Sequence, residues 1–169
     1  MVLLETERLI LRQFQRSDVH QLAPILANSE AMKFSRTGTL STLQTQAKLD
    51  GFMAAYEKFG FGKWAVIFKN TDALIGYCGI AVESVDGADE RELGYRLAPE
   101  FWHLGLATEA ALATVQHAFK QLRLPYVLGI VEPVNTASVR VLEKVGMKYA
   151  RETIFYGVEM AVYRLDAVA

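Results

Sequence analysis

The sequence predicts a mixed α/β (α+β) fold in which about four helices flank a mostly antiparallel sheet of about seven strands. Three observations indicate this class. Apolar residues recur at helical spacing in several segments, and short segments rich in β-branched and aromatic residues are separated by turn residues. The elements follow the order strand, two helices, three strands, helix, strand, helix, two strands. That order departs from the regular βαβ alternation of a parallel sheet.

Capping and turn residues fix the boundaries of these elements. Ser17-Asp18 offers an N-cap for the first helix, and Gly60 and Gly146 end two later helices. Turns are predicted at Asn70-Thr71-Asp72 and at 86–89, where Asp and Gly cluster. The predicted elements are strand 8–14, helix 18–28, loop 29–40, helix 42–59, strands 63–68, 74–82 and 90–97, helix 108–122, strand 126–131, helix 136–145, and strands 147–154 and 158–165.

Composition excludes several classes of function. The chain has 169 residues, of which 51% are hydrophobic, so we expect one domain over 1–169 with its own core. Eighteen Lys and Arg against nineteen Asp and Glu argue against nucleic acid or an anionic membrane as a bulk electrostatic partner. Glu5, Glu7 and Arg8 stand where a secretory signal needs an apolar core, so we expect a cytoplasmic location.

The few potential metal ligands predict that no metal is bound. Cys78 is the single cysteine, which excludes an intramolecular disulfide and a Cys-clustered zinc site. His20 and His117 fall in predicted helices without a partner at metal-ligand spacing. Cys78 itself is interpreted as a small, buried apolar residue.

The most informative segment is 94–110, where a strand, a short turn and a helix start follow one another. Gly105 and Ala107 lack bulk where the chain enters the helix, so a phosphate can approach backbone N–H groups and the positive end of the helix. Thr108 can add a hydroxyl. A single glycine matches neither the dinucleotide fingerprint nor a Walker A loop. The segment alone indicates either an anion-binding turn or a tight helix N-terminus.

A second segment, 132–147, places polar residues where a strand passes into a helix. Asn135 lies at the end of the strand and Ser138 in the first turn of the helix. Both residues are suited to helix capping, which is the alternative to a role in ligand binding.

Taken together, these segments resemble the GCN5-related N-acetyltransferases (GNAT), in particular the branch that acetylates ribosomal-protein N-termini. The resemblance extends over nearly the whole chain and is carried by segments 5–12, 75–79, 102–110 and 135–147. It implies the GNAT fold and acetyl-CoA as the cosubstrate. Trp102 departs from the Gln or Arg that usually opens the family's phosphate loop. Because backbone N–H groups hold the phosphates, this departure is expected to cost little.

The resemblance also implies which residues contact acetyl-CoA. One strand would hold the pantetheine arm through its backbone, the loop would hold the diphosphate through N–H groups, and two helix residues would lie beside the pantetheine. The strand residues are Tyr95, Arg96 and Leu97. The loop residues are His103, Leu104, Gly105, Leu106, Ala107 and Thr108. The two residues beside the pantetheine are Asn135 and Ser138.

In this family the acceptor amine attacks the thioester directly, without a covalent acyl-enzyme. The amine must be neutral, and an α-amine near pKa 7.8 is roughly 14% neutral at pH 7. Strand alternation places Glu92 on a polar face, which makes it the candidate general base. The alternative is an exposed carboxylate paired with Arg91 or Arg96.

Ser138 is the candidate donor to the departing thiolate, and Tyr156 is a weaker one. We therefore predict an acetyl-CoA-dependent N-acetyltransferase that acts on a protein N-terminal amine or a small-molecule amine. The alternative is a non-catalytic CoA-binding sensor or scaffold of the same fold. Segment 29–40 is expected to form one wall of the acceptor site, and the chain to be a monomer or a homodimer.

Overall fold

The computed structural model describes residues 2–168, which form one mixed sheet of eight strands with two helices on each face. The spatial order is β1-β2-β3-β4-β5-β6-β8-β7. The strands are β1 Val2–Glu5, β2 Leu9–Arg12, β3 Lys63–Phe68, β4 Ala73–Val85, β5 Ala88–Leu97, β6 Tyr126–Val131, β7 Lys148–Phe155 and β8 Val158–Asp166. The helices are α1 Val19–Leu26, α2 Thr42–Phe59, α3 Leu106–Lys120 and α4 Thr136–Val145.

The sheet is antiparallel except between β5 and β6. These two neighbouring strands run parallel and share a single registered pair, Glu92 with Leu128. No further pair is registered between these strands, so the C-terminal part of β5 beyond Glu92 has no registered partner in β6, and the space beside it is called the cleft below. This confirms the mostly antiparallel α/β architecture of the GNAT fold.

Alternation along β4 and β5 assigns side chains to the two faces of the sheet. Tyr77 faces α1 and α2 in a cluster with Leu22, Leu26 and Leu49. Cys78, the next residue, faces the other side, in the cluster that includes residues of α3 and α4. The sheet is therefore covered on both faces, and the cleft opens between the two helix layers.

The N-terminal region differs from the prediction in two respects. The predicted strand 8–14 is shorter, and a further strand, β1, precedes it. Thr6 makes the turn between them, because its backbone N–H donates to the carbonyl oxygen of Leu9 and its hydroxyl accepts from the Leu9 N–H. The sheet consequently has eight strands among the described residues instead of about seven.

Asp18 does not cap the first helix through its side chain. A 3₁₀ turn over Arg16–Asp18 precedes α1. The Asp18 carboxylate accepts two hydrogen bonds from Arg12, at 2.8 and 2.9 Å, and one from the Gln15 N–H at 2.7 Å. Asp18 therefore occupies the N-cap position of α1, as predicted, but its buried carboxylate pairs with Arg12 and makes no capping hydrogen bond to that helix.

The helices that frame the site begin and end at residues with clear local reasons. Ser41 and Gln44 form a capping box at the start of α2, and Gly60 adopts φ of 79° at its end. Gly105 adopts φ of 76° directly before α3, so that helix begins two residues earlier than predicted. No helix among residues 2–168 combines the length and apolar character needed to cross a bilayer.

Candidate active site

The cleft between β5 and β6 exposes one backbone edge of β5. The Ala98 N–H donates to Ile75 O in β4, at 2.8 Å. Because backbone groups alternate along a strand, those of Tyr95 and Leu97 point away from β4, toward the cleft. The registered parallel pairing with β6 ends at Glu92, so Tyr95 presents its backbone N–H and carbonyl oxygen, and Leu97 its N–H, to a ligand. Arg96, between them, directs its backbone toward β4.

The loop that follows β5 delivers the N-terminus of α3 to the same cleft. Trp102 fixes the start of this loop, since its indole N–H donates to Leu97 O at 2.9 Å. His103 and Gly105 both adopt positive φ, of 62° and 76°. The N–H groups of Leu106 and the next two residues, Ala107 and Thr108, have no acceptor within the helix, because they belong to its first turn. They are therefore available to an anion.

A clamp that sequence analysis missed holds this loop against the N-terminal strands. The Arg8 guanidinium donates to Leu104 O at 2.8 Å and to the Glu109 carboxylate at 2.7 Å. Glu109 also accepts from the Arg8 N–H at 2.9 Å and from the Thr6 hydroxyl at 2.7 Å. Burial opposes ionisation of Glu109, but these hydrogen bonds outweigh it and hold the pKa of the carboxyl below its ordinary value.

Tyr95 and Ser138 meet on the α3/α4 side of the cleft. Tyr95 Oη lies 2.8 Å from Ser138 Oγ and 3.0 Å from Ser138 O. Burial raises the pKa of Tyr95, so its hydroxyl stays protonated at neutral pH. Asn135 caps α4, because its side-chain oxygen accepts from the Ser138 N–H at 3.3 Å. The sequence predicted the capping position but not the Tyr95 hydroxyl contact.

Glu92 occupies the opposite face of β5, where it pairs with a lysine. Lys63 Nζ lies 3.4 Å from Glu92 Oε2 and 3.3 Å from Gly79 O. Burial raises the pKa of Glu92 above its ordinary value, and the positive charge of Lys63 offsets part of that rise. Both side chains are largely buried, with exposed fractions of 10% for Lys63 and 15% for Glu92.

The expected alternative, an exposed Glu92 paired with Arg91 or Arg96, was wrong. Arg96 instead donates to the Tyr77 hydroxyl at 3.1 Å and to the carbonyl oxygen of Ala31, which ties segment 29–40 to the sheet. Arg91 lies over the ring of Phe61. Alternation predicted the correct face for Glu92, but it could not predict a partner that comes from β3.

A pocket of about 220 Å³ lies between α2 and β4 beside this ion pair. Lys63 lines the pocket, and Glu92 is the cross-strand partner of another lining residue, Ala81. The remaining lining residues are Lys48, Gly51, Phe52, Ala55, Phe59, Phe61, Gly62, Tyr77, Ile80, Val82 and Glu83. A larger depression of about 430 Å³ near Gln13 and Glu57 contains none of the predicted site residues.

Cys78 and Tyr156, which were also considered from the sequence, each contact a polar side chain. Cys78 is fully buried, 3.4 Å from the Thr114 hydroxyl, and burial raises its pKa to about 11. Tyr156 donates its hydroxyl to Glu83 at 3.1 Å, and its ring stacks with the Arg36 guanidinium at 3.8 Å. Among residues 2–168, no three His, Cys, Asp or Glu side chains are grouped as a metal site would require.

The site thus combines a mixed sheet that contains one parallel pair, β5 and β6, with the N-terminus of α3 beside it. Residues 8–148 match the family model described as the acetyltransferase (GNAT) domain. The chain belongs to the GNAT family and is an acetyltransferase, which confirms the family predicted from the sequence.

Relatives in sequence and structure agree with this assignment. The chain is 29% identical over 150 residues to an uncharacterized N-acetyltransferase, YnaD of Bacillus subtilis strain 168, covering 89% of this chain and 84% of that one. An acetyltransferase structure from Agrobacterium tumefaciens superposes with a TM-score of 0.83 at 29% identity, covering 96% and 92% of the two chains. RimL, a ribosomal L7/L12 α-N-protein acetyltransferase in complex with coenzyme A, shares the fold with a TM-score of 0.82 at 16% identity, over 99% and 98%.

Proposed function

We propose that this protein, as a single domain over 1–169, transfers the acetyl group of acetyl-CoA directly to a primary amine. The observation that carries the proposal is the cleft itself. One edge of β5 offers backbone groups from Tyr95 and Leu97, and the cleft lies between Glu92 on one face of β5 and Ser138 on the other. Acetyl-CoA would supply the activated thioester, and family membership implies its use.

The residues around the cleft fit this cosubstrate. Its diphosphate would accept hydrogen bonds from N–H groups between His103 and Thr108, because the positive φ at Gly105 turns the chain so that the helix N-terminus faces outward. Asn135 would orient Ser138 beside the pantetheine through the cap it makes with the Ser138 N–H. Arg96 contributes its side chain to the acceptor side, because its guanidinium holds segment 29–40.

Glu92 would remove the proton that the attacking amine loses. Its carboxylate is near the pocket on the α2 side, and Lys63 stabilises the ionised form that a base requires. Ser138 would donate a proton to the sulfur as the C–S bond breaks, and the Tyr95 hydroxyl would support that donation. The amine nitrogen thereby gains the acyl group and loses a proton, and CoA leaves as the thiol. Tyr156 is engaged with Glu83, which favours Ser138 over Tyr156 as the donor.

The alternative function is a CoA-binding sensor without turnover, and one experiment separates the two. Acetyl-CoA should raise the melting temperature under either function. Release of CoA thiol on addition of primary amines, with loss of that release in Glu92→Gln, supports the enzyme. A thermal shift without thiol release for any amine tested would support the sensor, and no thermal shift would exclude both. We further propose that the enzyme acts in the cytoplasm, with neither nucleic acid nor membrane as a partner, as a monomer or a homodimer.

A further inference from the structure

The pocket beside Glu92 indicates the size and charge of the acceptor amine, provided that the protein transfers acetyl groups as proposed. Its walls include four aromatic rings. Phe52 comes from α2, Phe59 ends that helix, Phe61 follows in the connection to β3, and Tyr77 comes from β4. Three of these rings are mostly buried, and Phe59 is 37% exposed at the mouth. The walls therefore favour an apolar group next to the amine.

The polar floor of the pocket is a lysine held in a niche built by glycines. A Cβ added to Gly94 would lie 2.1 Å from Lys63 Nζ, so the ammonium group occupies the space that a side chain there would fill. Gly79 accepts from the same ammonium group, and Tyr56 donates its hydroxyl to the carbonyl oxygen of Lys63. The cation beside Glu92 is thus also held by Gly79 of β4 and packs against Gly94 of β5, while Tyr56 of α2 fixes the Lys63 backbone.

This arrangement leaves the pocket with little attraction for a second positive charge. Lys63 neutralises Glu92. Glu83, the acidic residue in the lining, accepts the Tyr156 hydroxyl, which leaves its negative charge in place. Lys48 adds a positive charge to the wall, with its ammonium group 5.5 Å from the centre of the Phe52 ring. Lys48 and Lys63 thus balance Glu83 and Glu92, so a polyamine bound here would find no excess of negative charge for its further ammonium groups.

The pocket is also small, and side-chain contacts of Tyr156 with Glu83 and Arg36 lie at one end of it. Its volume of about 220 Å³ is below the range of roughly 300–1,000 Å³ typical of sites for drug-sized ligands. Glu83 is joined through Tyr156 to Arg36, so segment 29–40, the β7–β8 turn and β4 meet beside it. A peptide continuing from the acceptor amine along this direction would have to displace that contact. These features favour a compact acceptor over a protein N-terminus.

We propose that the acceptor is a small primary amine with one positive charge, borne on an apolar group of about the size of one ring. The rings of Phe52, Phe59, Phe61 and Tyr77 bind the apolar group. Lys63 disfavours the ammonium form of the bound amine, because a nearby like charge lowers its pKa, and so favours the neutral nucleophile. Because the charges of the pocket balance, amines that carry additional cations gain no net attraction there.

A panel of acceptors tests this proposal by kcat/KM for CoA release with the full-length chain. The panel contains 2-phenylethylamine, benzylamine, propylamine, putrescine, spermidine and an alanine-initiated peptide. The expected result is at least about tenfold higher kcat/KM for the two ring-bearing amines than for propylamine, spermidine or the peptide, as burial of a ring predicts. Preference for spermidine or for the peptide overturns the proposal and leaves acetyl transfer established. A panel without any turnover overturns it as well, and the thermal shift then reports whether acetyl-CoA binds.

Substitutions at Lys63 test the charge, with selectivity as the readout. In Lys63→Met, kcat/KM for spermidine relative to that for 2-phenylethylamine should rise about tenfold, because one fixed cation is removed. Lys63→Arg keeps the charge and should keep the ratio. The ratio cancels any loss of turnover common to both amines, which a merely structural role would produce. Lys120→Met, at the far end of α3, is the control for net charge. An unchanged ratio in Lys63→Met overturns the assigned role.

A second variant keeps the test independent of the folding of Lys63 variants. Phe59→Ala removes a ring at the pocket mouth and should raise KM for 2-phenylethylamine about tenfold while KM for propylamine stays within about twofold. Tyr149→Ala removes another exposed ring, from β7 and away from the pocket, and is the control. Equal effects of Phe59→Ala on both amines would contradict the aromatic pocket as the binding site of the apolar group.

Discussion

The Tyr95 hydroxyl lies 2.8 Å from Ser138 Oγ and links strand β5 to the first turn of α4 beside the cleft. Tyr95 has one hydroxyl proton and two Ser138 oxygens within reach, the other being the carbonyl oxygen at 3.0 Å. When that proton goes to Ser138 Oγ, the Ser138 proton is free to face the cleft. The pair can therefore supply a proton to a leaving group while the serine hydroxyl stays hydrogen-bonded.

Removing either hydroxyl should lower turnover, and to different extents. Ser138→Ala should reduce kcat by roughly 100-fold, at the low end of the effect of a general acid, since the proton donor itself is lost. Tyr95→Phe should reduce kcat by about tenfold, because Ser138 remains but loses its partner. Steady-state rates of CoA release at saturating acetyl-CoA measure both.

The matched control for Tyr95→Phe is Tyr126→Phe, which removes a tyrosine hydroxyl bonded to Glu90 at 2.7 Å. This variant should keep kcat within about twofold. A Tyr95→Phe enzyme with the turnover of the unmodified protein would remove the Tyr95 hydroxyl from the mechanism, and Ser138 would then act alone.

The contrast between Ser138 and Tyr95 shows how far sequence reasoning extends at this site. A family motif predicts Ser138, and alternation predicts the face of β5 on which Glu92 lies. Neither predicts that Tyr95 contacts α4 or that Lys63 contacts Glu92, because each contact joins residues separated by 43 or 29 positions. Such pairs depend on how strands and helices pack, which local patterns do not specify.

The raised pKa of Glu92 should be visible in the pH dependence of activity. A base must be ionised, so kcat/KM should fall as the pH drops through this pKa, at a higher pH than the ordinary value of 4.5. Lys63→Met removes the charge that stabilises the carboxylate, so its acid limb should shift further toward neutral pH. Rates measured from acid to neutral pH provide both profiles.

Glu92→Gln should abolish this acid limb and lower kcat by roughly 100-fold, in the range of a lost general base. The unfolding free energy of the unmodified protein should change in the opposite direction to its activity and fall as the pH rises. A carboxyl with a raised folded pKa stabilises the fold in its protonated form, and this stabilisation is lost as the pH rises through that pKa. An acid limb that persists in Glu92→Gln would assign the titration to another group.

The clamp between Arg8 and Glu109 should matter for acetyl-CoA binding as well as for stability. Glu109→Ala removes charge-assisted hydrogen bonds from Thr6 and Arg8 and should cost about 2 kcal/mol of unfolding free energy. For a chain of this length, that predicts a fall in melting temperature of roughly 4–8 °C. The KM for acetyl-CoA should rise, because Arg8 also holds Leu104 in the loop.

The matched control is Asp166→Ala, which removes the exposed ion pair with Arg164 and should change stability by less than about 1 kcal/mol. The pH dependence gives an independent check. The folded pKa of Glu109 is lowered, so its stabilisation is complete above the ordinary value of 4.5 and is lost as the pH falls through the lowered pKa. Equal stability losses in Glu109→Ala at neutral pH and at strongly acidic pH would contradict this assignment.

The fold itself was largely predictable, and its departures have local causes. The extents of α2, β3, β6 and α4 follow from their caps and apolar patterns and agree with the prediction. Strand β1 was missed because a Thr6 hydroxyl, rather than a glycine or proline, makes the turn after it. The cleft was not predictable from any local pattern, because it depends on β5 and β6 sharing only one registered pair.

Cys78 tests whether transfer is direct. It lies in β4 opposite Tyr95, close enough to the cleft for an acyl-enzyme to be conceivable, but it is fully buried and its pKa is raised to about 11 by that burial. Because the thiolate is the nucleophile, less than about 1% of Cys78 would be reactive near pH 8.

Ellman's reagent should therefore leave the folded protein unmodified and titrate one thiol per chain after denaturation. Cys78→Ala should keep kcat within about twofold, and initial rates with two varied substrates should give intersecting lines. Parallel lines together with loss of activity in Cys78→Ala would instead require an acetylated cysteine, and direct attack by the amine would be excluded.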